Sequence, residues 1–187
     1  MRVIAGTARG RPLVAPRGTA TRPIADRVKE TLFAILGERV IDARVLDLYA
    51  GSGAVGIEAL SRGAAHAAFV ETDRRALIAI RENLERTGLA TLASVHSVDV
   101  LRYLEGPPAA RFGIAFVDPP YVERAILAPL ERLVAHLAPA AMVVVKHHWR
   151  TEIPEPQGLA RWRVRRFGET SLTFLAANDG ADGVEER

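Results

Sequence analysis

The chain has 187 residues, 49% hydrophobic and 25% charged, which fits one globular domain and excludes a wholly disordered chain. It contains no cysteine, so disulfides, thiolate metal sites, iron–sulfur ligation and cysteine nucleophiles are excluded. Net charge is only +3, yet residues 1–30 carry seven cations against two carboxylates, a local +5 that leaves −2 for the rest. A basic start on a mildly acidic body fits a polyanionic partner, with nucleic acid first among them.

In chain order, Met1-Arg2-Val3-Ile4-Ala5-Gly6 has no apolar signal region, so a cytoplasmic protein is expected. Residues 1–24 read as a basic hairpin arm, with short strands at 2–5 and 11–14 around Gly6 and Gly10. A helix opens at Asp26, with Val28, Leu32, Ile35 and Leu36 on one face and Arg27, Lys29 and Glu30 on the polar side, and stops at Gly37. Residues 25–176 form the main domain. Within it, apolar runs at 45–48, 67–70, 94–96, 114–117 and 142–145 alternate with helical stretches at 55–61, 74–87, 100–104 and 123–137. Repeated βα units predict a parallel sheet with helices on both faces. The longest apolar run, residues 137–145, contains Pro139 and is far shorter than the ~20 residues of a membrane span. Segments 161–167 and 171–176 then read as a closing β-hairpin, and residues 177–187 as a flexible tail.

The stretch from Val45 to Gly56 reads as strand, glycine loop and helix. Gly51, Gly53 and Gly56 match G-x-G-x-x-G, and Glu71 follows twenty residues after Gly51. Such glycines let backbone approach a ligand, and the acid can accept from ribose hydroxyls; a ligand-free tight turn is the plainer alternative. The motif fits NAD, FAD and S-adenosylmethionine alike. Asp47 tilts the choice, since a carboxylate there repels a pyrophosphate and favours an ammonium or sulfonium. Asp99, after the third strand, can accept from an adenine amino group or cap the next helix, and the two roles can coexist.

At the end of the fourth strand stands Asp118-Pro119-Pro120-Tyr121. The amine of a nucleobase is a poor nucleophile because its lone pair is delocalised into the ring. Acceptors on its N–H bonds turn that lone pair outward, and the Asp118 carboxylate and the Pro119 carbonyl supply two. The prolines stiffen the loop, and Tyr121 offers a face on which an extruded base can stack. Arg2, Arg9, Arg11 and Arg17 are the candidate phosphate contacts of the arm. The five histidines lack metal-ligand spacing, so no metal site is expected. His147-His148-Trp149-Arg150 and Trp162 with Arg161, Arg163, Arg165 and Arg166 read either as RNA contacts or as exposed strand surface, with Arg161, Arg163 and Arg165 on one face.

Together these residues resemble the RsmD family, bacterial methyltransferases that modify the N2 amine of a guanine in 16S ribosomal RNA. The resemblance covers about residues 2–176. It rests on Arg2-Val3-Ile4-Ala5-Gly6, Arg9-Gly10-Arg11, Arg22-Pro23, residues 26–33, the glycine loop into residues 56–64, the Asp-Pro-Pro-Tyr tetrad and Phe167-Gly168-Glu169-Thr170. It implies an α/β class I S-adenosylmethionine-dependent methyltransferase fold, Rossmann-like, whose seven-stranded, mostly parallel sheet has a reversed last strand. The implied cofactor is S-adenosylmethionine, held by Asp47, Gly51, Gly53, Glu71 and Asp99, with Asp118, Pro119 and Tyr121 catalytic. The implied partner is 16S rRNA in an assembling small ribosomal subunit, approached by a monomer with no membrane attachment. Two positions depart from the family pattern: Ile24 stands where threonine is expected, and Lys146 where an acid is expected. The alternatives are methylation of an adenine or cytosine amine, a nicotinamide oxidoreductase using the same loop, and a non-catalytic RNA-binding factor.

Overall fold

A computed structural model describes residues 1–16, 24–108, 110–119 and 126–178. Among these residues seven strands form one sheet: β1 (Arg44–Leu48), β2 (His66–Glu71), β3 (Ala93–Ser97), β4 (Phe112–Val117), β5 (Leu137–His148), β6 (Leu159–Phe167) and β7 (Thr170–Ala177). Their order is β3-β2-β1-β4-β5-β7-β6. The first five run parallel, and β7 lies antiparallel between β5 and β6. Among the described residues five α-helices cover the two faces: α1 (Asp26–Leu36), α2 (Ala54–Ser61), α3 (Arg74–Thr87), α4 (Val100–Glu105) and α5 (Leu127–Leu133). Side chains alternate across the pleat, so Val45, Phe69 and Phe116 face a core with α1, α2 and α3, while Leu46, Leu48 and Val117 face one with α4 and α5. None of the described helices is long and apolar enough to cross a membrane.

The βα alternation predicted from the sequence is what forms. Asp73 caps α3 by accepting from the Arg75 and Ala76 N–H groups, and Gly88 ends it at φ 73°, which fixes both boundaries where the sequence places them. The stretch read as a helix over 123–137 differs. The described part is α5, a 3₁₀ turn at Val134–His136, and then strand from Leu137 onward. Leu137 already pairs with Phe112, and a bulge with Ala140 at φ 55° carries the chain past Pro139 into register at Met142. Pro139 is therefore exposed within the bulge, where its missing N–H costs the ladder no bond.

The first sixteen residues depart further from expectation. In place of two strands there is a single bridge, Arg2 to Pro12, flanked by backbone bonds from Val3 N to Arg11 O and Gly10 N to Val3 O. Most of what holds this segment is α2. All eight residues of that helix are buried, because the sheet covers one side and residues 3–8 the other. Glu58 accepts from Ile4 N at 2.8 Å and Ala5 N at 3.0 Å, and Ser61 binds Ala5 and Ala8. Gly6 lies so close to the end of α2 that a Cβ would stand 1.7 Å from the Ser61 carbonyl oxygen. Val3, Ala8 and Leu13 join the core.

Lys29 corrects the sequence assignment most sharply. It was expected on the polar face of α1, but it is fully buried, 3.0 Å from Glu58 and donating to the Arg2 carbonyl at 2.6 Å. Glu58 also takes Arg62 at 2.8 Å, so one buried carboxylate gathers two cations and two backbone N–H groups. Arg2 also lies 3.4 Å from Asp26, so among the described residues two of the early cations, Arg2 and Lys29, serve internal ion pairs.

Candidate active site

Parallel strands bring their carboxyl ends to one edge of the sheet, and the register fixes what meets there. Glu71 lies opposite Ser97, Leu48 opposite Val117, and Val117 opposite Val145. Across β3, β2, β1, β4 and β5 this sets out Asp99, Glu71, the glycine loop, Asp118 and Lys146 in a row.

The loop leaves β1 with Tyr49, Gly51 and Gly53 all in the left-handed region, at φ 59°, 57° and 74°. Tyr49 is the unusual member, because left-handed backbone strains a bulky aromatic residue. The resulting turn aims the Gly51 N–H at Glu71 Oε2, 2.9 Å away. Glu71 Oε1 takes the N–H groups of Thr72 and Asp73 at 2.7 and 2.9 Å. A carboxylate has about four acceptor sites, so three are engaged and the loop is already tied to the end of β2.

Asp47 sits one residue inside the strand end and is 2% exposed. Its Oδ2 accepts from Gly56 N at 3.0 Å. Gly53, at the start of α2, has no side chain with which to cap the helix, so Asp47 supplies the acceptor from the strand. Gly56 has to be glycine: a Cβ would stand 2.4 Å from the Phe69 ring and 3.2 Å from Asp47 Oδ2. Burial pushes the Asp47 carboxyl well above the ordinary range, the Gly56 N–H opposes this, and the charges of Asp118 and Glu71 add to it.

Asp99 caps α4 through Oδ1, which accepts from Leu101 N and Arg102 N at 2.9 and 3.2 Å. That is the capping role weighed for it, and its carboxylate stays exposed on the edge. Asp118 is hung from β1 by its own N–H, 3.4 Å from the Leu48 carbonyl, and its side chain is 30% exposed. Both carboxylate oxygens lie 2.8 Å from Lys146 Nζ. Burial raises the Asp118 carboxyl, and the Lys146 ammonium pulls it back down. Pro119 follows directly; Tyr121 and Pro120 lie outside the described residues, as do Arg17, Arg22 and Pro23.

Sequence reasoning missed several supports. Asn83, fully buried on α3, donates to the Ser52 carbonyl of the glycine loop and to Val14 O, and accepts from Val14 N. A polar residue at a core-facing helical position, Asn83 between Ile80 and Leu84, was the available signal. Ile24 buries its side chain in the core, consistent with an apolar residue there. Arg9 and Arg11 are exposed, but the 6–10 turn carrying Arg9 docks on Ser61, at the opposite end of α2 from the glycine loop. His147 is spent internally: Nδ1 donates to His148 O and Nε2 accepts from the Thr173 hydroxyl, both at 2.8 Å.

Chemically the row is acidic. Asp47, Glu71, Asp99 and Asp118 stand along it with Lys146 paired to Asp118, so the edge favours a ligand with cationic groups and disfavours a pyrophosphate. The chain is 39% identical over 179 residues, 93% of its length and 97% of the relative's, to YlbH of Bacillus subtilis, provisionally named an rRNA methyltransferase. It is 37% identical over 171 residues to the ribosomal RNA small subunit methyltransferase D of Escherichia coli, covering 89% of this chain and 83% of that one. The solved structure of Escherichia coli yhhF, provisionally named a methyltransferase, superposes with a TM-score of 0.84 at 35% identity, covering 96% of this chain and 98% of that one. Residues 1–176 match the family described as conserved hypothetical protein 95, and the chain is therefore a member of that family, the RsmD family its motifs resemble.

Proposed function

We propose that this chain is an S-adenosylmethionine-dependent methyltransferase of small-subunit ribosomal RNA, acting on the exocyclic N2 amine of a guanine. The observation that carries the reading is the juxtaposition of the Glu71-tethered glycine loop with Asp118 along one acidic strand-end row. Bound S-adenosylmethionine supplies a methyl group made electrophilic by its sulfonium. Glu71 accepts from the ribose hydroxyls, Asp99 from the adenine amine, and the backbone at Gly51 and Gly53 closes on the ligand. Asp47 lies beneath the loop, where its carboxylate form favours the ammonium and sulfonium.

At the base, Asp118 and the Pro119 carbonyl accept the two N–H bonds of the amine, which directs its lone pair out of the ring. Asp118 then offsets the positive charge on nitrogen until the proton is lost. Lys146 occupies one lone pair on each oxygen of Asp118 and leaves acceptor capacity for the amine. Tyr121 stacks on the base. Arg2, Arg9, Arg11 and Arg17, within residues 1–24, contact phosphates of 16S rRNA in an assembling subunit, and the protein works as a cytoplasmic monomer.

The test is single-turnover methyl transfer to small subunits from a strain lacking this enzyme, with the modified nucleotide mapped. Asp118→Asn should slow transfer by about 10²–10³ while cofactor affinity holds. A wild-type rate in that variant would reduce the tetrad to a structural turn. Tyr121→Ala should lose about 1–3 kcal/mol of base stacking, and Tyr121→Phe little.

A further inference from the structure

The outer edge of the sheet is built unlike the rest of it. Every residue of β6 from Ala160 to Arg166 is exposed, whereas the adjacent β7 buries five consecutive residues. On this strand Trp162 is 50% exposed, and Trp149, just beyond β5, is 37% exposed. Guanidinium groups stack on both rings: Arg163 lies 4.9 Å from the Trp162 centroid, and Arg166 and Arg150 lie 3.8 and 4.8 Å from that of Trp149. Among the described residues, none of Arg150, Arg163, Arg165 and Arg166 forms an ion pair with a carboxylate.

The register locates this surface. Trp162 sits at a bulge between Arg161 and Arg163, which corrects the expectation that Arg161, Arg163 and Arg165 share a face. Arg161 lies opposite Leu175 and pairs with Glu155 at 3.2 Å, whereas Arg163 and Arg165 lie opposite Phe174 and Leu172, on the other face. Leu172 and Ser171 in turn lie opposite Lys146 and His147. Arg165 and Arg166 are therefore at the same end of the sheet as Asp118, three strand spacings or about 14 Å away.

We propose that β6, with the Trp149–Arg150 corner, is an RNA-docking surface that holds nucleotides flanking the reacting base. The proposal rests on the enzyme reading above and adds a contact surface separate from residues 1–24. Arginines alone would be explained by protection of an exposed strand edge, but that needs charge and no tryptophan. Half-exposed indoles under unneutralised guanidiniums match the two faces of a nucleotide, with the ring stacking on bases and the cations meeting phosphates.

Equilibrium binding to 16S rRNA and to small subunits, from about 50 to 200 mM salt, tests this. Arg163→Gln/Arg165→Gln should flatten the log–log salt slope by roughly 1.4–1.8, and Trp162→Ala should weaken binding about 5-fold or more. S-adenosylmethionine affinity should hold in both variants and melting temperature in Arg163→Gln/Arg165→Gln, whose side chains are exposed; Trp162 also packs edge-on against the buried Phe174 ring, 6.2 Å between centroids, so the arginine variant carries the stability control. A photoreactive phenylalanine derivative at position 162 should cross-link to rRNA. A salt slope unchanged in the double variant, or cross-linking to a ribosomal protein instead, would overturn the proposal. Methyl transfer by the wild-type protein, followed in parallel, reports on the enzyme assignment alone, so the surface can fail while methylation persists.

Discussion

Lys146 holds Asp118 by both carboxylate oxygens, each 2.8 Å from Nζ, across adjacent parallel strands. The pairing matters because burial raises the Asp118 carboxyl and the ammonium is what opposes that rise. Removing the cation in Lys146→Met should raise the Asp118 carboxyl further. The acidic limb of the single-turnover rate should then move to higher pH, with a rate deficit below neutrality that narrows as pH rises. A pH–rate profile of variant and wild type decides the matter; coincident limbs would mean the pair does not persist in the working enzyme.

Glu71 anchors the Gly51 N–H, and the proposed function gives the same carboxylate a second duty at the ribose hydroxyls. Glu71→Ala should weaken S-adenosylmethionine by about 1.5–3 kcal/mol, the range for hydrogen bonds to a charged group. Glu71→Gln keeps one oxygen for the loop and should fall between wild type and alanine. Titration calorimetry measures both, and an unaltered affinity in the alanine variant would remove Glu71 from the site.

Asp47 should show a conflict between stability and ligand affinity. Its carboxyl is raised in the folded chain, so the native state holds the proton more tightly than the unfolded state. Stability from this group therefore declines as pH rises above the unfolded value of about 3.9. Asp47→Asn retains an oxygen for the Gly56 N–H without the charge. It should melt higher than wild type at neutral pH without ligand, yet gain less from added S-adenosylmethionine. Scanning calorimetry with and without ligand would show the crossing, and a lower ligand-free melting point would contradict it.

Lys29 tests the staple under the N-terminal segment. Breaking a fully buried pair from one side leaves an uncompensated charge, so Lys29→Met should cost about 3–5 kcal/mol of unfolding free energy. Residues 1–16 should also become cleavable before the domain unfolds. A loss below about 1 kcal/mol would mean that Arg62 and the Ile4 and Ala5 N–H groups satisfy Glu58 without help.

The sheet and most of the site row were legible because they rest on local signals. Short apolar runs alternating with helical stretches marked β1 to β5, the stretch 74–87 coincides with α3, and the acids stood where strands end. What was hidden depends on partners distant in sequence. Lys29 looks solvent-facing until Glu58 is known to lie opposite, and Arg161 shares a face with Arg163 until the bulge at Trp162 intervenes. The early end of α5 was obscured because Leu137, Ala138 and Ala140 suit helix and strand alike, and only pairing with Phe112 settles them.

The bonds between Asn83 and Val14 span 69 residues, and those from Ile4 to Glu58 span 54. During synthesis residues 3–14 leave the ribosome before the groups they close against, first Glu58 and Ser61 on α2, and they wait longest for Asn83 on α3. At about 5–20 residues per second that wait is roughly 3–14 seconds. Val3, Ala8 and Leu13 pass the interval exposed in the nascent chain, so the stretch that completes the cover of α2 is also the one that most needs shelter before α2 exists.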